Sequence, residues 1–246
     1  MASQVIAESD DLLQRGIAAQ NEYRFDDAAL SFWQALTCID AAPDLKERRD
    51  RSLQLASFFL KRTHEDLALL AISAAIRLDE KLEDHTSLAS HLIFYGNIHM
   101  RLGNTDDAKA TFADVIERCL EAEDYGDAAS ASTNLAMMTA NSGDGAAAIK
   151  LLRNSLQYLT KKSFPDTEFI THVTMIQTVA FRDGDPALAV ESGIAIGKKF
   201  SERLTDDVRE LLVQPLQTAV EAYLEKKPQP NPKAWKKKNL AWIYSN

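Results

Sequence analysis

Histidine is the residue type in this sequence that could most directly hold a metal ion or move a proton. The five histidines are His64, His85, His91, His99 and His172. Helical metal sites place two ligands four residues apart, because both imidazoles then lie on one face of the helix. No histidine pair has this spacing, and His91 and His99, which share one predicted helix, are eight residues apart. The sequence therefore predicts no metal site and assigns the histidines to helix surfaces or interhelix contacts.

The cysteine, aspartate and glycine residues are not spaced for catalysis or ion binding either. Cys38 and Cys119 fall late in predicted helices, so we expect both to be reduced and structural. The turns at Asp106-Asp107 and Asp183-Gly184-Asp185 lack the ligand spacing of a calcium loop and are predicted to cap helices. The sequence contains no glycine-rich phosphate loop and no nucleophile elbow. We therefore expect no enzyme activity, no catalytic residue and no cofactor.

The composition and charge indicate a folded protein with an acidic surface. Of the 246 residues, 46% are hydrophobic and 26% are charged, and the formal net charge is -8. Nucleic-acid binding depends on neutralising phosphates with Lys and Arg, so this charge argues against a nucleic-acid partner. The first residues do not form a signal peptide, and no stretch reaches the ~18 apolar residues of a membrane span. We expect a cytoplasmic protein and leave its oligomeric state open.

The strongest pattern in the sequence is a repeat of 40 residues. Four columns of mostly small or apolar residues recur at this period: Gly16, Ala56, Gly96 and Ala136; Ala28, Ala68, Ala108 and Ala148; Phe32, Ile72, Phe112 and Leu152; and Ala35, Ala75, Val115 and Ser155. A fixed period of this length is typical of stacked supersecondary units. We predict that Gly16 faces Ala28 and lets the two helices of a hairpin approach closely. Phe32 is predicted to fill the gap to the next hairpin.

Each period is predicted to hold two helices, because cap and turn residues interrupt the helical spacing of its apolar residues. Gly103 is predicted to end a helix in the left-handed conformation, and Asp185-Pro186 is predicted to begin one. The turn of the second period lacks glycine, and there Thr63 and Asp66 are predicted to form a capping pair. These signals predict an all-α fold, and stacked hairpins favour binding over chemistry.

The C-terminal part of the chain departs from the repeat. One helix is predicted from Thr205 to about Lys226, with a kink or a break at Pro215. We divide the chain into a repeat solenoid at residues 1–203, a capping helix at 204–227, and a proline-rich linker with a basic aromatic tail at 228–246.

The tail is predicted to be a docking element. Residues 226–246 hold six lysines and no acidic residue, which leaves a formal charge of -14 on residues 1–225 of a chain at -8. Asn231-Pro232 is predicted to begin a short helix. Trp235, Trp242 and Tyr244 could dock a partner, an acidic membrane surface or the protein's own acidic flank. The same aromatic side chains could instead seal the apolar end of the stack.

The repeat columns resemble the tetratricopeptide repeat family, in a variant with a 40-residue period. The matching residues are Leu12, Gly16, Ala19, Ala28, Phe32 and Ala35 in the first period, and Leu92, Tyr95, Gly96, Ala108 and Phe112 in the third. The resemblance covers roughly residues 8–203. It implies an all-α, right-handed superhelical solenoid of about five helical hairpins plus a C-terminal helix. It also implies a concave groove, lined by the first helix of each hairpin, that holds peptides or partner helices.

The resemblance places a stripe at positions i, i+3 and i+7 of each first helix in this groove. The stripe consists of Gln14, Ile17 and Asn21; Gln54, Ser57 and Lys61; Phe94, Asn97 and Arg101; Asn134, Met137 and Asn141; and Met175, Thr178 and Arg182. Its amides suit the backbone of an extended peptide, and its methionines adapt to varied side chains. Lys61, Arg101 and Arg182 occupy equivalent positions in a stripe without acidic residues, which favours an acidic or C-terminal-carboxylate ligand. The same positions could instead be solvated or stack neighbouring first helices.

We therefore expect a protein-interaction adaptor or scaffold. Its predicted peptide-binding residues are Lys61, Phe94, Asn97, Arg101, Asn134, Met137, Asn141, Met175, Thr178 and Arg182. A peptide-sensing regulator and an export or assembly chaperone for a single client protein stay open as alternatives. The carboxylate clamp of some family members is not expected, because Leu13 and Ile93 stand where it has lysines.

Overall fold

The computed structural model describes residues 2–161, 174, 176, 179–180, 185–200 and 206–244. Within these residues, the regular elements are eleven α-helices and one short 3-10 turn at Cys38–Ala41. The helices are α1 (Ala2–Asn21), α2 (Phe25–Thr37), α3 (Leu45–Lys61), α4 (Glu65–Leu82), α5 (His85–Leu102), α6 (Thr105–Glu121), α7 (Tyr125–Asn141), α8 (Gly145–Lys161), α9 (Pro186–Phe200), α10 (Asp206–Lys226) and α11 (Pro232–Tyr244). Helix α1 packs on α2, α3 on α4 and α7 on α8, as predicted for the first, second and fourth hairpins.

The chain forms two compact units, Met1–Thr111 and Phe112–Asn246. The core of the first unit is built around Phe32, Phe59 and Ile72, and that of the second around Leu152 and Leu188. All the residues of the four predicted columns are buried. The 40-residue repeat therefore correctly predicted which faces of the helices pack into the cores.

Six of the described helices, α1 and α3 to α7, end in the same way, whereas α2 runs into the 3-10 turn at Cys38–Ala41. A residue with positive φ follows the helix, and the next backbone N–H donates back to the carbonyl five residues earlier, as in a Schellman cap. The residues with positive φ are Tyr23, Thr63, Glu83, Gly103, Glu123 and Gly143. The returning N–H groups belong to Arg24, His64, Asp84, Asn104, Asp124 and Asp144, with N···O distances of 2.8–3.1 Å. Gly103, at φ +79°, confirms the predicted left-handed cap.

The predicted capping pair of Thr63 and Asp66 is wrong. Thr63 has φ +59° and closes α3, while His64 occupies the N-cap position of α4 without a side-chain hydrogen bond. The hydroxyl of Thr63 donates to the carbonyl of Arg62 at 2.6 Å. Asp185 does cap its helix as predicted, because its carboxylate accepts from the N–H of Leu188 at 3.1 Å.

The close approach of α1 and α2 depends on Gly16, and the atoms nearest to a Cβ at this position belong to Phe32. A Cβ atom at Gly16 would lie 2.3 Å from Cε1 of Phe32. The Phe32 ring is fully buried and makes edge contacts with Phe58 and Phe59, at centroid distances of 5.8 and 5.6 Å. The first unit therefore closes its first hairpin on an aromatic cluster.

A buried arginine ties α1 to α3. The Arg51 guanidinium donates to Ser9 Oγ at 3.2 Å and to the carboxylate of Asp10. Ser9 Oγ in turn donates to the carbonyl of Ala35 at 3.0 Å. Because a buried polar group destabilises the fold unless it is paired, this chain of bonds fixes the position of the first hairpin on α3.

A second buried cluster joins α3, α4 and α5. Asp79 is fully buried, and its carboxylate lies 2.5 Å from Nδ1 of His91. The Arg49 guanidinium donates to Asp79 at 3.3 Å and to Asp84 at 2.7 Å. His91 therefore has a structural partner within the first unit.

The two C-terminal helices, α10 and α11, pack within the second unit. Helix α10 is one continuous helix through Pro215, so the predicted break does not occur. Helix α11 begins at Pro232 as predicted, with Asn231 accepting from the N–H of Ala234 at 3.0 Å, and its helical geometry is interrupted at Leu240. Of the described helices, none is both long and apolar enough to cross a membrane.

Candidate protein-binding surface

On α1 and α3 of the first unit, the side chains of the predicted groove stripe are mostly polar and exposed. Gln14 and Asn21 of α1 are exposed, and Ile17 between them is half-buried. Gln54, Ser57 and Lys61 of α3 are all exposed. The stripe is therefore available to solvent on both helices, whereas the column residues on the opposite sides of these helices are buried.

The exposed side of α3 borders a shallow cavity of about 510 Å³. We define the α3 face as the residues that line this cavity: Leu53, Gln54, Ser57, Phe58, Lys61 and Arg62. The Arg62 guanidinium lies 4.0 Å from the centroid of the Phe58 ring, in a cation–π contact that orders both side chains. The face thus combines an apolar floor with an amide, a hydroxyl and two adjacent cations.

The α3 face is anchored from below by the buried side chains of the same helix. Arg51 donates to Oε1 of Gln54 at 3.1 Å, so the Gln54 amide is oriented by the guanidinium that holds α1. Phe58 packs on Phe59 at a centroid distance of 5.4 Å. A surface built on a packed helix in this way changes little when a ligand binds, which limits the entropy lost on binding.

The stripe on α5 is partly engaged within the protein. Phe94 is half-buried and packs against the core of the first unit. The Arg101 guanidinium donates to the Glu65 carboxylate of α4 at 2.8 Å, and this hydrogen bond lowers the pKa of Glu65. Because its charge is already paired, Arg101 contributes less positive charge to this surface than the sequence alone predicted.

The stripe on α7 has a mixed environment in the second unit. Asn134 is half-buried and Asn141 is exposed. Met137 is also half-buried and packs against the core of its unit. Met137 and Phe94 therefore both contribute to packing within their own units.

Several predicted binding residues are not among those that the structure describes. Met175, Thr178 and Arg182 of the fifth period fall outside the described residues. The side chains of Trp242 and Tyr244 in the tail do so as well.

The described part of the tail docks on its own unit. The Trp235 ring stacks on Tyr223 of α10 at a centroid distance of 5.5 Å, and Lys236 pairs with Glu221. Leu240 and Ile243 are buried in the core of the second unit. Trp235 therefore packs on its own unit, and the docking roles predicted for the tail stay predictions.

Two of the residues that could do chemistry, Cys119 and His99, are buried. Burial, together with the nearby carboxylates of Asp127 and Asp124, raises the pKa of the Cys119 thiol to about 12. His99 is buried, with its ring 4.4 Å from that of Tyr95. Across the part of the chain that the structure describes, no three potential ligand side chains come together around a metal position.

Sequence reasoning missed two features of this surface. Phe58 and Arg62 were not predicted as part of it, although their spacing of four residues on one helix face was a usable signal. The burial of Arg51 had no signal, because the charged run from Lys46 to Arg51 reads as a solvated face.

Solved structures with a similar fold are known, although they share little sequence identity with this chain. No family model and no curated protein matches this chain. The chain is similar to the crystal structure of BtubC (BKLC) from P. vanneervenii, with a TM-score of 0.54, 14% identity, and coverage of 94% of this chain and 92% of that one. It is also similar to the apo form of RapI, with a TM-score of 0.50, 13% identity, and coverage of 89% and 84%. These are tetratricopeptide-type structures, so the fold is an all-α arrangement of tetratricopeptide-like helical hairpins.

Proposed function

We propose that this chain is a protein-binding adaptor or scaffold whose first-helix faces hold an extended peptide or a partner helix. It acts without a cofactor and catalyses no reaction. The observation that carries the proposal is the α3 face, where polar side chains surround the apolar floor of a shallow cavity. Likeness to tetratricopeptide-type structures supports protein binding in general terms.

The chemistry of the α3 face suggests the kind of segment that it holds. Gln54 and Ser57 each offer a donor and an acceptor, which suits the amide groups of an extended backbone. Leu53 and Phe58 offer apolar surface for a side chain of the ligand. Lys61 and Arg62 are adjacent cations, and a carboxylate beside them forms charge-assisted hydrogen bonds. We therefore expect a ligand with an acidic residue next to an apolar one.

Selection of peptides from a random displayed library against the full chain tests this proposal. The selected peptides should carry acidic residues, and calorimetry should measure their affinity for the wild type and for Lys61→Glu. Reversing this charge should weaken binding by at least about tenfold, because a like charge then faces the ligand. Lys150→Glu is the matched control, since Lys150 is an exposed lysine on the far side of α8 from its buried column and makes the same change in net charge.

The proposal fails if Lys61→Glu and Lys150→Glu bind the selected peptides equally well. A second variant, Arg101→Ala, tests whether the surface extends onto α5 of the same unit. The extended surface predicts weaker binding with unchanged helix content, as measured by circular dichroism. Unchanged affinity in this variant would confine the proposed site to the α3 face.

A further inference from the structure

The exposed large hydrophobic side chains of the described residues are concentrated in one region. They are Tyr23 (81% exposed), Phe25 (62%), Leu30 (56%), Trp33 (46%) and Leu70 (44%), and all belong to α2, α4 or the turn before α2. Single exposed apolar side chains are ordinary, but a group of them on packed neighbouring helices marks an interaction surface. Helix α2 contacts α4, and Leu30 and Leu70 hold equivalent positions in successive periods, so we treat Leu30, Trp33 and Leu70 as one local surface.

Three of these side chains, Leu30, Trp33 and Leu70, lie on the outer stripe of their helices, opposite the buried columns. On α2 the stripe runs through Asp26, Leu30, Trp33 and Thr37, and 40 residues later on α4 it runs through Asp66, Leu70, Ser73 and Arg77. We define the outer face as Leu30, Trp33 and Thr37 of α2 with Leu70 and Ser73 of α4. The outer face carries no charge, and the stripes are charged only at their ends.

We propose that the outer face is a self-association surface, and that its occupant is a second copy of this chain related by a two-fold axis. In a two-fold contact, each residue meets the same surface of its partner, so the surface must be complementary to itself. A chain with a net charge of -8 repels its own copies over most of its surface. The uncharged outer face avoids this repulsion and buries its exposed leucines and tryptophan.

The charges at the ends of α4 support an antiparallel contact. Asp66 lies in the first turn of α4 and Arg77 lies eleven residues later on the same stripe, and both are exposed. When two copies of α4 cross in antiparallel fashion, Asp66 of each copy faces Arg77 of the other. A parallel contact would bring the like charges together, which disfavours it. This inference is independent of the proposed peptide-binding function, because it uses a different side of the repeat.

Sedimentation equilibrium of the full chain over a range of micromolar concentrations tests the proposal. The wild type should approach twice the chain mass of 27.3 kDa as the concentration rises. Leu30→Glu with Leu70→Glu should weaken dimerisation by at least about 100-fold, because four carboxylates then meet across one apolar contact. Ala110→Glu with Ala113→Glu is the matched control, since these exposed residues occupy the same stripe on α6, and it should dimerise as the wild type does.

A monomeric wild type at every concentration would overturn the proposal, and so would undiminished dimerisation of the leucine variant. A monomeric wild type that buries the outer face against a different protein also contradicts it. A charge exchange provides an independent check. Asp66→Arg alone and Arg77→Asp alone should each weaken the dimer, and the two together should restore it. Failure of the double exchange to restore dimerisation would contradict the antiparallel contact.

Discussion

Helices α2 and α8 lie three periods apart in the sequence and bury the same column positions. Their outer faces differ, because positions that are apolar on α2 are positively charged on α8. Ala28, Phe32 and Ala35 of α2 and Ala148, Leu152 and Ser155 of α8 are buried at equivalent positions. On the other side, Leu30 and Trp33 correspond to Lys150 and Arg153. Packing between hairpins therefore determines the repeat columns, whereas the outer positions can differ between the two units, and in the second unit Arg153 pairs with Asp185 and Glu191.

The two cores also fill equivalent positions by different means. In the first unit, Phe32 contacts two further phenylalanine rings, and Ala35 completes the column. In the second unit, a smaller leucine stands in place of Phe32, and Ser155 adds a polar group to the core. Ser155 Oγ lies 2.8 Å from Thr133 Oγ1 and donates to the carbonyl of Ala129 at 3.0 Å, so the hydroxyl is satisfied without water. Equivalent packing positions thus accept aromatic, aliphatic or hydrogen-bonded polar side chains.

The largest expected difference in unfolding free energy is between a substitution on the buried face of α2 and one on its outer face. Phe32→Ala should lower the free energy of unfolding by about 3–5 kcal/mol, because it leaves a cavity in the aromatic cluster. Trp33→Ala, one residue along, should change it by less than about 0.5 kcal/mol in dilute protein, because Trp33 is exposed. Urea unfolding of both variants gives the measurement. Similar losses at the two positions would contradict the assignment of the two faces.

A smaller difference in stability is expected between glycine substitutions in the two cores. Gly16→Ala should destabilise the protein by about 1–3 kcal/mol, because the new Cβ meets a ring that is held by other rings. Gly193→Ala in the second unit places its Cβ 2.3 Å from Cδ2 of Leu216, a buried aliphatic side chain that lacks the rigid ring of Phe32. It should therefore destabilise less than Gly16→Ala does. Thermal unfolding of the two variants tests this order, and the reverse order would refute the idea that the first core is the more rigid.

A still smaller effect concerns the turns, which differ in their residues but not in their geometry. Thr63→Gly should stabilise the protein by about 0.5–1 kcal/mol, because a β-branched residue is strained at φ +59°. Gly103→Ala should have the opposite sign and about the same size, since it places a Cβ at an equivalent turn. If Thr63→Gly lowers the melting temperature, the strain at this turn is absent.

The smallest effect is a pH-dependent one at the junction of α4 and α5. Asp84 accepts from the N–H and the hydroxyl of Ser87, at 3.1 and 2.8 Å, and these bonds together with Arg49 lower its pKa. The folded pKa therefore lies below the unfolded one, so the stabilisation is present at neutral pH and is lost as the pH falls through the folded pKa.

Asp84→Ala should lower the melting temperature at neutral pH, and the difference from the wild type should narrow in acid. The difference between Asp84→Asn and Asp84→Ala should stay constant with pH, because neither side chain titrates. Scanning calorimetry at several pH values tests both statements. A gap between the wild type and Asp84→Ala that widens in acid would be inconsistent with the lowered pKa.

The sequence predicted those features that depend on repeated burial or on glycine and proline chemistry. The column residues, the cap at Gly103 and the helix start at Asp185-Pro186 follow local rules that the structure obeys. The left-handed turns at Tyr23 and Thr63 could not be predicted, because non-glycine residues in this conformation have no composition signal and are held there by the packing of the helices on either side.

Tertiary packing also decided two further features. Helix α10 continues through Pro215, since Leu216, Ala219 and Val220 bury its next turn in the core of the second unit and outweigh the lost backbone hydrogen bond. The pairing of Arg101 with Glu65 joins residues 36 positions apart, and no local pattern indicates such a contact. The predicted stripe therefore identified exposed positions on α3 correctly, but it could not show which of its cations were already paired.

Photo-crosslinking with a selected peptide tests the proposed binding surface most directly. A benzophenone side chain is placed at Ser57 on the α3 face or, for comparison, at Ala113 on the outer stripe of α6, both of which are exposed. The full chain is then irradiated with the peptide at a saturating concentration. We predict a crosslink from position 57 and none from position 113. A crosslink from position 113, or none from position 57, would contradict the claim that the first-helix faces bind protein ligands.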